Sequence, residues 1–178
     1  GNETVGRRIE VADSVARASR ALVAEDDASA LGSALEAVRE AMGVSAVFVE
    51  RNIEDPTMGL AAVVVDRASA DHVAHPSLEL RSTVPWSAMP GARAHLEGGA
   101  PFFYRVEEAR GTQADRSGDG GLRVEVNVPI SLHGDWVGVI GAADADPDRV
   151  WRTDDLVLLR TMADLTAAFW QRANDAKV

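Results

Sequence analysis

The chain has 178 residues, 46% hydrophobic and 26% charged, enough apolar material for one cored domain and too much for a disordered chain. Its formal charge of −10 with no clustered basic stripe gives nucleic acid no electrostatic footprint, and no apolar run approaches the ~18–20 residues of a membrane span, so a cytoplasmic protein is expected. Zero cysteines exclude disulfides, thiolate nucleophiles, cysteine zinc sites and thioether-linked chromophores, and with Lys177 the only lysine an internal Schiff base is excluded too.

Between residues 7 and 23, Ile9, Ala12, Ala16, Ser19 and Val23 recur at steps of three and four, with Val11, Val15, Ala18 and Leu22 beside them. That period predicts a first helix with two apolar stripes. Asp26 and Asp27 break the pattern and can cap a second helix, whose buried face is Leu31, Leu35, Val38 and Met42 and whose stop is Gly43. Residues 44–50 and 59–66 are β-branched runs joined by a turn-rich stretch from Asn52 to Pro56, an antiparallel pair. Residues 67–121 are irregular, punctuated by Pro85, Pro90, Gly91, Gly98, Gly99 and Pro101, with a short helix expected over 92–96 and a short strand over 102–105. The polar, glycine-rich residues 111–121 read as a mobile loop.

The sharpest pattern follows. Leu122, Val124, Val126, Val128, Ile130 and Leu132 alternate with Arg123, Glu125, Asn127, Pro129 and Ser131, a strand with one apolar face. His133-Gly134-Asp135 turns it into a second strand over 136–143. Thr153 then serves as N-cap, with Asp154 and Asp155 at the positive end of the dipole, for a last helix running to about residue 172. This helix also has two apolar stripes, Leu156, Leu159, Ala163, Thr166 and Trp170, and Leu158, Met162, Leu165 and Phe169. The order predicts an α+β fold over 1–178 as a single domain: N-terminal helices at 7–42, a sheet with an irregular middle segment at 44–143, and a C-terminal helix at 153–175.

Val128-Pro129-Ile130, the glycine turn, Trp136-Val137-Gly138-Val139-Ile140, Trp151-Arg152-Thr153-Asp154-Asp155 and Leu158-Leu159 resemble the C-terminal signature of GAF domains. Residues 92–102 are similar to the family's helix, glycine and proline-led strand, and residues 34–50 to its second helix and first strand. The resemblance implies an antiparallel sheet of five or six strands, with the terminal helices on one face and the irregular segment over the other. It also implies a non-catalytic sensory or regulatory module of a bacterial signalling protein, which binds a small ligand or a partner and passes a helix movement to an output domain beyond Val178. The alternative is a ligand-free structural dimerisation domain. Bilin-attaching members use a cysteine and members that reduce methionine sulfoxide work through cysteines, and neither is available here. The Asn-Lys pattern of cyclic-nucleotide binders is absent as well.

In the family the ligand lies between the sheet and the middle segment, where Trp86, Met89, Phe102 and Tyr104 gather with Arg105. They are therefore the candidate ligand residues, together with Arg123, Glu125 and Asn127 on the polar side of the hairpin strand; the competing reading is that the aromatics fill this space as core. His72 and His75 are three apart, but zinc needs three or four ligands, so no metal site is assigned. A haem needs only one proximal histidine and survives as a minor option at His72, His75 or His95, whereas His133 reads as a turn residue. The cofactor is otherwise unknown. The surplus apolar stripes of the first and last helices predict a homodimer formed by those helices.

Overall fold

The computed structural model describes residues 28–70, 78–105 and 121–175, together with residues 6, 13, 16 and 17, which are helical. The rest of the predicted first helix, the Asp26-Asp27 cap, His72, His75 and the glycine-rich loop short of Gly121 lie outside the described residues. The elements in chain order are α1 (Ala28–Met42), β1 (Ala46–Asp55), β2 (Gly59–Ser69), β3 (Thr83–Pro85), a 3-10 turn (Trp86–Ala88), α2 (Ala92–Glu97), β4 (Phe102–Arg105), β5 (Val124–Leu132), β6 (Asp135–Asp144) and α3 (Thr153–Asp175). The strands form one sheet in the order β3-β2-β1-β6-β5-β4, every pair antiparallel. The expected α+β architecture is therefore found, with six strands.

Two of the connections differ from expectation. β1 runs on through Asn52–Asp55, so the turn shrinks to residues 56–58, where the Asp55 carboxylate accepts the backbone N–H groups of Thr57 and Met58 at 2.8 and 2.9 Å. Those two donors hold the Asp55 carboxyl below its ordinary pKa. β3 falls in the stretch read as irregular, a three-residue edge strand ending at a proline, which fits an edge because Pro85 has no N–H to give. The β5–β6 hairpin forms as expected: His133 and Gly134, at φ 51° and 83°, make the two-residue turn whose left-handed backbone matches strand twist.

On one face of the sheet, Leu31, Leu35 and Val38 of α1 and Leu158, Leu159, Met162 and Ala163 of α3 bury themselves against Val47, Val49, Val126, Val128, Ile130 and Ile140. Both apolar stripes of α3 join this core, with Leu156, Leu165 and Phe169 only partly covered. The start of α3 differs from the expected threonine cap. Thr153 is already the first helical residue, and the buried Asp155 carboxylate reaches back to accept the Arg152 N–H at 2.9 Å. This is the reaching-back half of a capping box. Arg149 ties the cap to the sheet, standing 3.5 Å from Asp155 and 3.7 Å from Asp144. Asp144 in turn accepts the Ser45 hydroxyl at 3.0 Å. On the far side of this layer the Arg51 guanidinium lies 4.7 Å above the Trp170 ring, a cation–π link from β1 to α3.

A bulge between Val49 and Glu50 leaves Val65 unpaired on β2 and sets Asp66 opposite Val49, on the helix side. The Asp66 carboxylate sits over Gly32 of α1, 3.4 Å from where a Cβ would stand. Desolvation there raises its pKa, opposed by the Arg67 N–H and charge. A raised carboxyl pKa means the folded protein holds the proton more tightly than the unfolded chain. The stabilisation is full below the unfolded value and is lost as pH rises through the folded one. Asp66→Asn is therefore expected to be more stable than the parent at pH 7 by up to about 1 kcal/mol, with the advantage shrinking as pH falls toward the ordinary carboxyl value of 3.8. Urea denaturation at pH 7 and pH 3.5 checks this (pH 3.5 being roughly the foot of an ordinary carboxyl titration); an equal advantage at both would refute it.

Candidate functional site

The face of the sheet away from α1 and α3 is built by strand parity. On β1 the residues Ala46, Phe48, Glu50 and Asn52 share it, because Val47 and Val49 are committed to the helix core. On β5 the commitment of Val126, Val128 and Ile130 to that core leaves Glu125 and Asn127 here. Cross-strand pairing then lines residues up in rows. Phe102, Asn127, Gly141 and Phe48 form one row across β4, β5, β6 and β1, and Tyr104, Glu125, Ala143 and Ala46 form the next.

Two apolar clusters cover the ends of this face. At one end Trp86, Met89, Ala92, Leu96 and Tyr104 pack on Ala62 and Val139, with Phe102 and Trp136 beside them. Asn52 bridges the two tryptophans there, its Oδ1 accepting the Trp86 indole N–H at 2.8 Å and its Nδ2 donating to the Trp136 carbonyl at 3.3 Å. At the other end Phe48 packs with Leu78, Leu122, Ala46 and Ala143.

Between the clusters lies buried polarity. Glu125 Oε2 accepts the Tyr104 hydroxyl and, at 3.0 Å, the Asn127 amide Nδ2. Asn127 is 1% exposed, and its Oδ1 has no hydrogen-bond partner. A buried acceptor left without a donor costs ~1–3 kcal/mol, so a fold keeps one only where something else is gained. Glu50 is also buried on this face, in register with Val139 and Val64.

Of the eight residues singled out by sequence, Trp86, Met89, Phe102, Tyr104, Glu125 and Asn127 share this face. Arg105 does not. Neighbours on a strand point to opposite sides, so with Tyr104 inward Arg105 turns outward, where it is exposed and donates to the Pro147 carbonyl at 2.7 Å. Arg123 is exposed beyond the start of β5, its backbone N–H bonded to the Asp144 carbonyl. Sequence reasoning missed Phe48, Glu50, Asn52, Trp136 and Gly141; the parity of Phe48, Glu50 and Asn52 along β1 was the available signal for three of them.

Among the described residues, clefts open beside this face and away from it. One of about 200 Å³ is lined by Phe103, Tyr104, Arg105, Val124, Arg149 and Trp151, so Tyr104 borders it, and one of about 230 Å³ is lined by Val128, Ser131, Arg160 and Asp164. Neither is lined by Glu125 or Asn127. His95 is exposed on α2 and its Nδ1 is 2.8 Å from the Gly91 carbonyl. Among the described residues no three His, Asp or Glu side chains cluster as a metal would require, and no helix is long and apolar enough to cross a membrane.

Gly141 holds the row together. A Cβ there would overlap the tip of the Phe48 ring and stand 2.8 Å from Asn127 Oδ1, so only glycine lets the ring and the amide meet across the β6 backbone. Gly141→Ala is expected to destabilise the fold by ~1–3 kcal/mol, the usual range for overpacking. In a Phe48→Leu background the same change should cost at least ~0.5 kcal/mol less, a coupling expected of residues in contact. Strict additivity of the two changes in urea denaturation would show that the ring and the glycine do not share this space.

The profile of the GAF domain family matches residues 26–169. No curated protein matches the chain by sequence. Among solved structures, the phycoerythrobilin-bound GAF domain of a cyanobacterial phytochrome superposes with a TM-score of 0.73 at 14% identity, covering 96% of this chain and 100% of its own. A far-red-absorbing dark state with bound biliverdin IXa gives 0.70 at 13% identity, over 90% of this chain and 99% of the other. The chromophore-binding domain of the bacteriophytochrome RpBphP3 from R. palustris gives 0.71 at 15% identity, over 92% of this chain and 62% of that one. At these identities the likeness is one of fold, whereas the family match spans most of the chain, and the chain belongs to the GAF domain family.

Proposed function

We propose that this domain is a non-catalytic sensor that binds a small molecule on the distal face of its sheet, without a covalent link. The observation that carries this reading is the buried Tyr104–Glu125–Asn127 cluster, polar groups set between two apolar clusters with one acceptor lacking a donor. A concave apolar setting with a few placed polar groups is the common form of a ligand site. Similar folds hold bilins in the solved structures. A thioether-linked bilin is out of reach for a chain with no cysteine. His95, exposed and bonded to its own helix turn, gives haem little support.

The second reading, a ligand-free structural domain, is favoured by Trp86 and Met89, which are buried as core among Ala92 and Leu96. Native mass spectrometry of gently purified protein separates the two. The sensor reading expects a mass increment from a retained small molecule that is lost on denaturation. Bare protein, together with no uptake of added biliverdin by visible absorbance, would leave the structural reading.

The domain works in this proposal as a cytoplasmic homodimer, joined by its first and last helices and coupled to an output domain of the same full-length chain. Support comes from α3, where Val157 is 51% exposed and Leu156, Leu165 and Phe169 are only partly covered. Leu159 is fully buried in the core, so a charge there would test folding and not assembly. Light scattering at micromolar concentration is expected to give twice the chain mass for the parent and the single-chain mass for Val157→Glu. A monomeric parent would overturn the assembly.

A further inference from the structure

The geometry points to a ligand that presents an N–H donor on a flat ring, with Asn127 Oδ1 as the acceptor that reads it. This rests on the sensor reading above and narrows it to a chemical class: amidines, cyclic amides and amino-substituted or N–H heterocycles. Three observations carry it.

The first is the orientation of the amide. Asn127 gives its Nδ2 to the Glu125 carboxylate at 3.0 Å, which fixes the side chain with its oxygen, not its nitrogen, turned away from Glu125. Rotating the amide would set oxygen against oxygen. The site therefore offers an acceptor, and a ligand acceptor would meet repulsion where a donor is bound. Donation to a carboxylate also pushes electron density toward the amide oxygen, which strengthens it as an acceptor. The Tyr104 hydroxyl steadies the same carboxylate oxygen.

The second is the shape of the row. Asn127 stands between Phe102 on one side and Gly141 then Phe48 on the other. With no Cβ at Gly141 the space over its backbone is taken by the tip of the Phe48 ring, so the row already accommodates a flat group at that point. The third is the present occupant. The tip of the Phe48 ring and Asn127 Oδ1 both crowd the place a Gly141 Cβ would take, and a phenyl ring has no N–H to give. It fills the space of a planar ligand without its hydrogen bond. A ring carrying an N–H can replace it, with Phe48 turning aside.

Benzamidine and benzoate test this directly, because they have nearly the same shape and opposite edges: benzamidinium donates where benzoate accepts. With 15N-labelled protein, titration with benzamidine is expected to shift the Gly141 backbone and Asn127 side-chain N–H signals, with at least ten-fold tighter apparent binding than benzoate. Asn127→Leu should abolish the preference, and Phe48→Ala should strengthen benzamidine binding by making room. The comparison of the two probes on the parent protein needs no variant, so a variant that fails to fold leaves the test intact. Benzoate binding as well as benzamidine, benzamidine shifts that persist unchanged in Asn127→Leu, or no shift at these signals with either probe would overturn the inference. The sensor reading fails separately, on a bare native mass spectrum with no biliverdin uptake.

Discussion

A sheet covered on both faces has two interiors, and each residue of its central strands must belong to one of them. β5 and β6 are such strands. Once Val126, Val128, Ile130 and Ile140 are committed to the helices, Glu125, Asn127, Gly141 and Ala143 have nowhere to go but the opposite interior. A strand with solvent on one side could put a glutamate and an asparagine there at no cost. Here they are buried, so they need partners, and the pairing of Tyr104, Glu125 and Asn127 follows from that need.

The helix side answers a different problem, how to fasten the last helix to a sheet it does not pair with. Packing supplies the adhesion and is indifferent to register. Direction comes from the polar joint at its start, where Asp155 caps, Arg149 stands near both Asp155 and Asp144, and Asp144 holds Ser45 at the head of β1. This joint links the chain's first described strand to its last helix through buried charge. Removing Arg149 would take the cation from beside two buried carboxylates, Asp144 and Asp155.

What could be read from sequence was whatever repeats with a local period. The stripes of α1 and α3 and the alternation of β5 declare themselves within a few residues, and His133-Gly134 declares its turn by the φ it demands. What could not be read depends on which strand lies beside which. Gly141 is an ordinary strand glycine until β6 is placed between β1 and β5, and only then do Phe48 and Asn127 meet across it. β3 has three residues, too few for a period to show. Arg105 is a different case. Its outward turn was legible from Tyr104 beside it, and grouping the two by composition instead of by parity misplaced it. The capping role of Asp155, the third residue of α3, was hidden by the more familiar threonine two positions ahead of it.

The tryptophans are divided between the two interiors. Trp86 and Trp136 lie on the distal face with ring centroids 5.1 Å apart, and Trp151 and Trp170 pack with the helix core. At that separation the transition dipoles of the first pair couple, so the two indoles absorb as one chiral chromophore, while the second pair, each indole beside a guanidinium, reports a different environment. The protein thus carries its own spectroscopic probes, one pair on each side of the sheet, and its near-ultraviolet circular dichroism separates events at the distal face from events at the helices without any label.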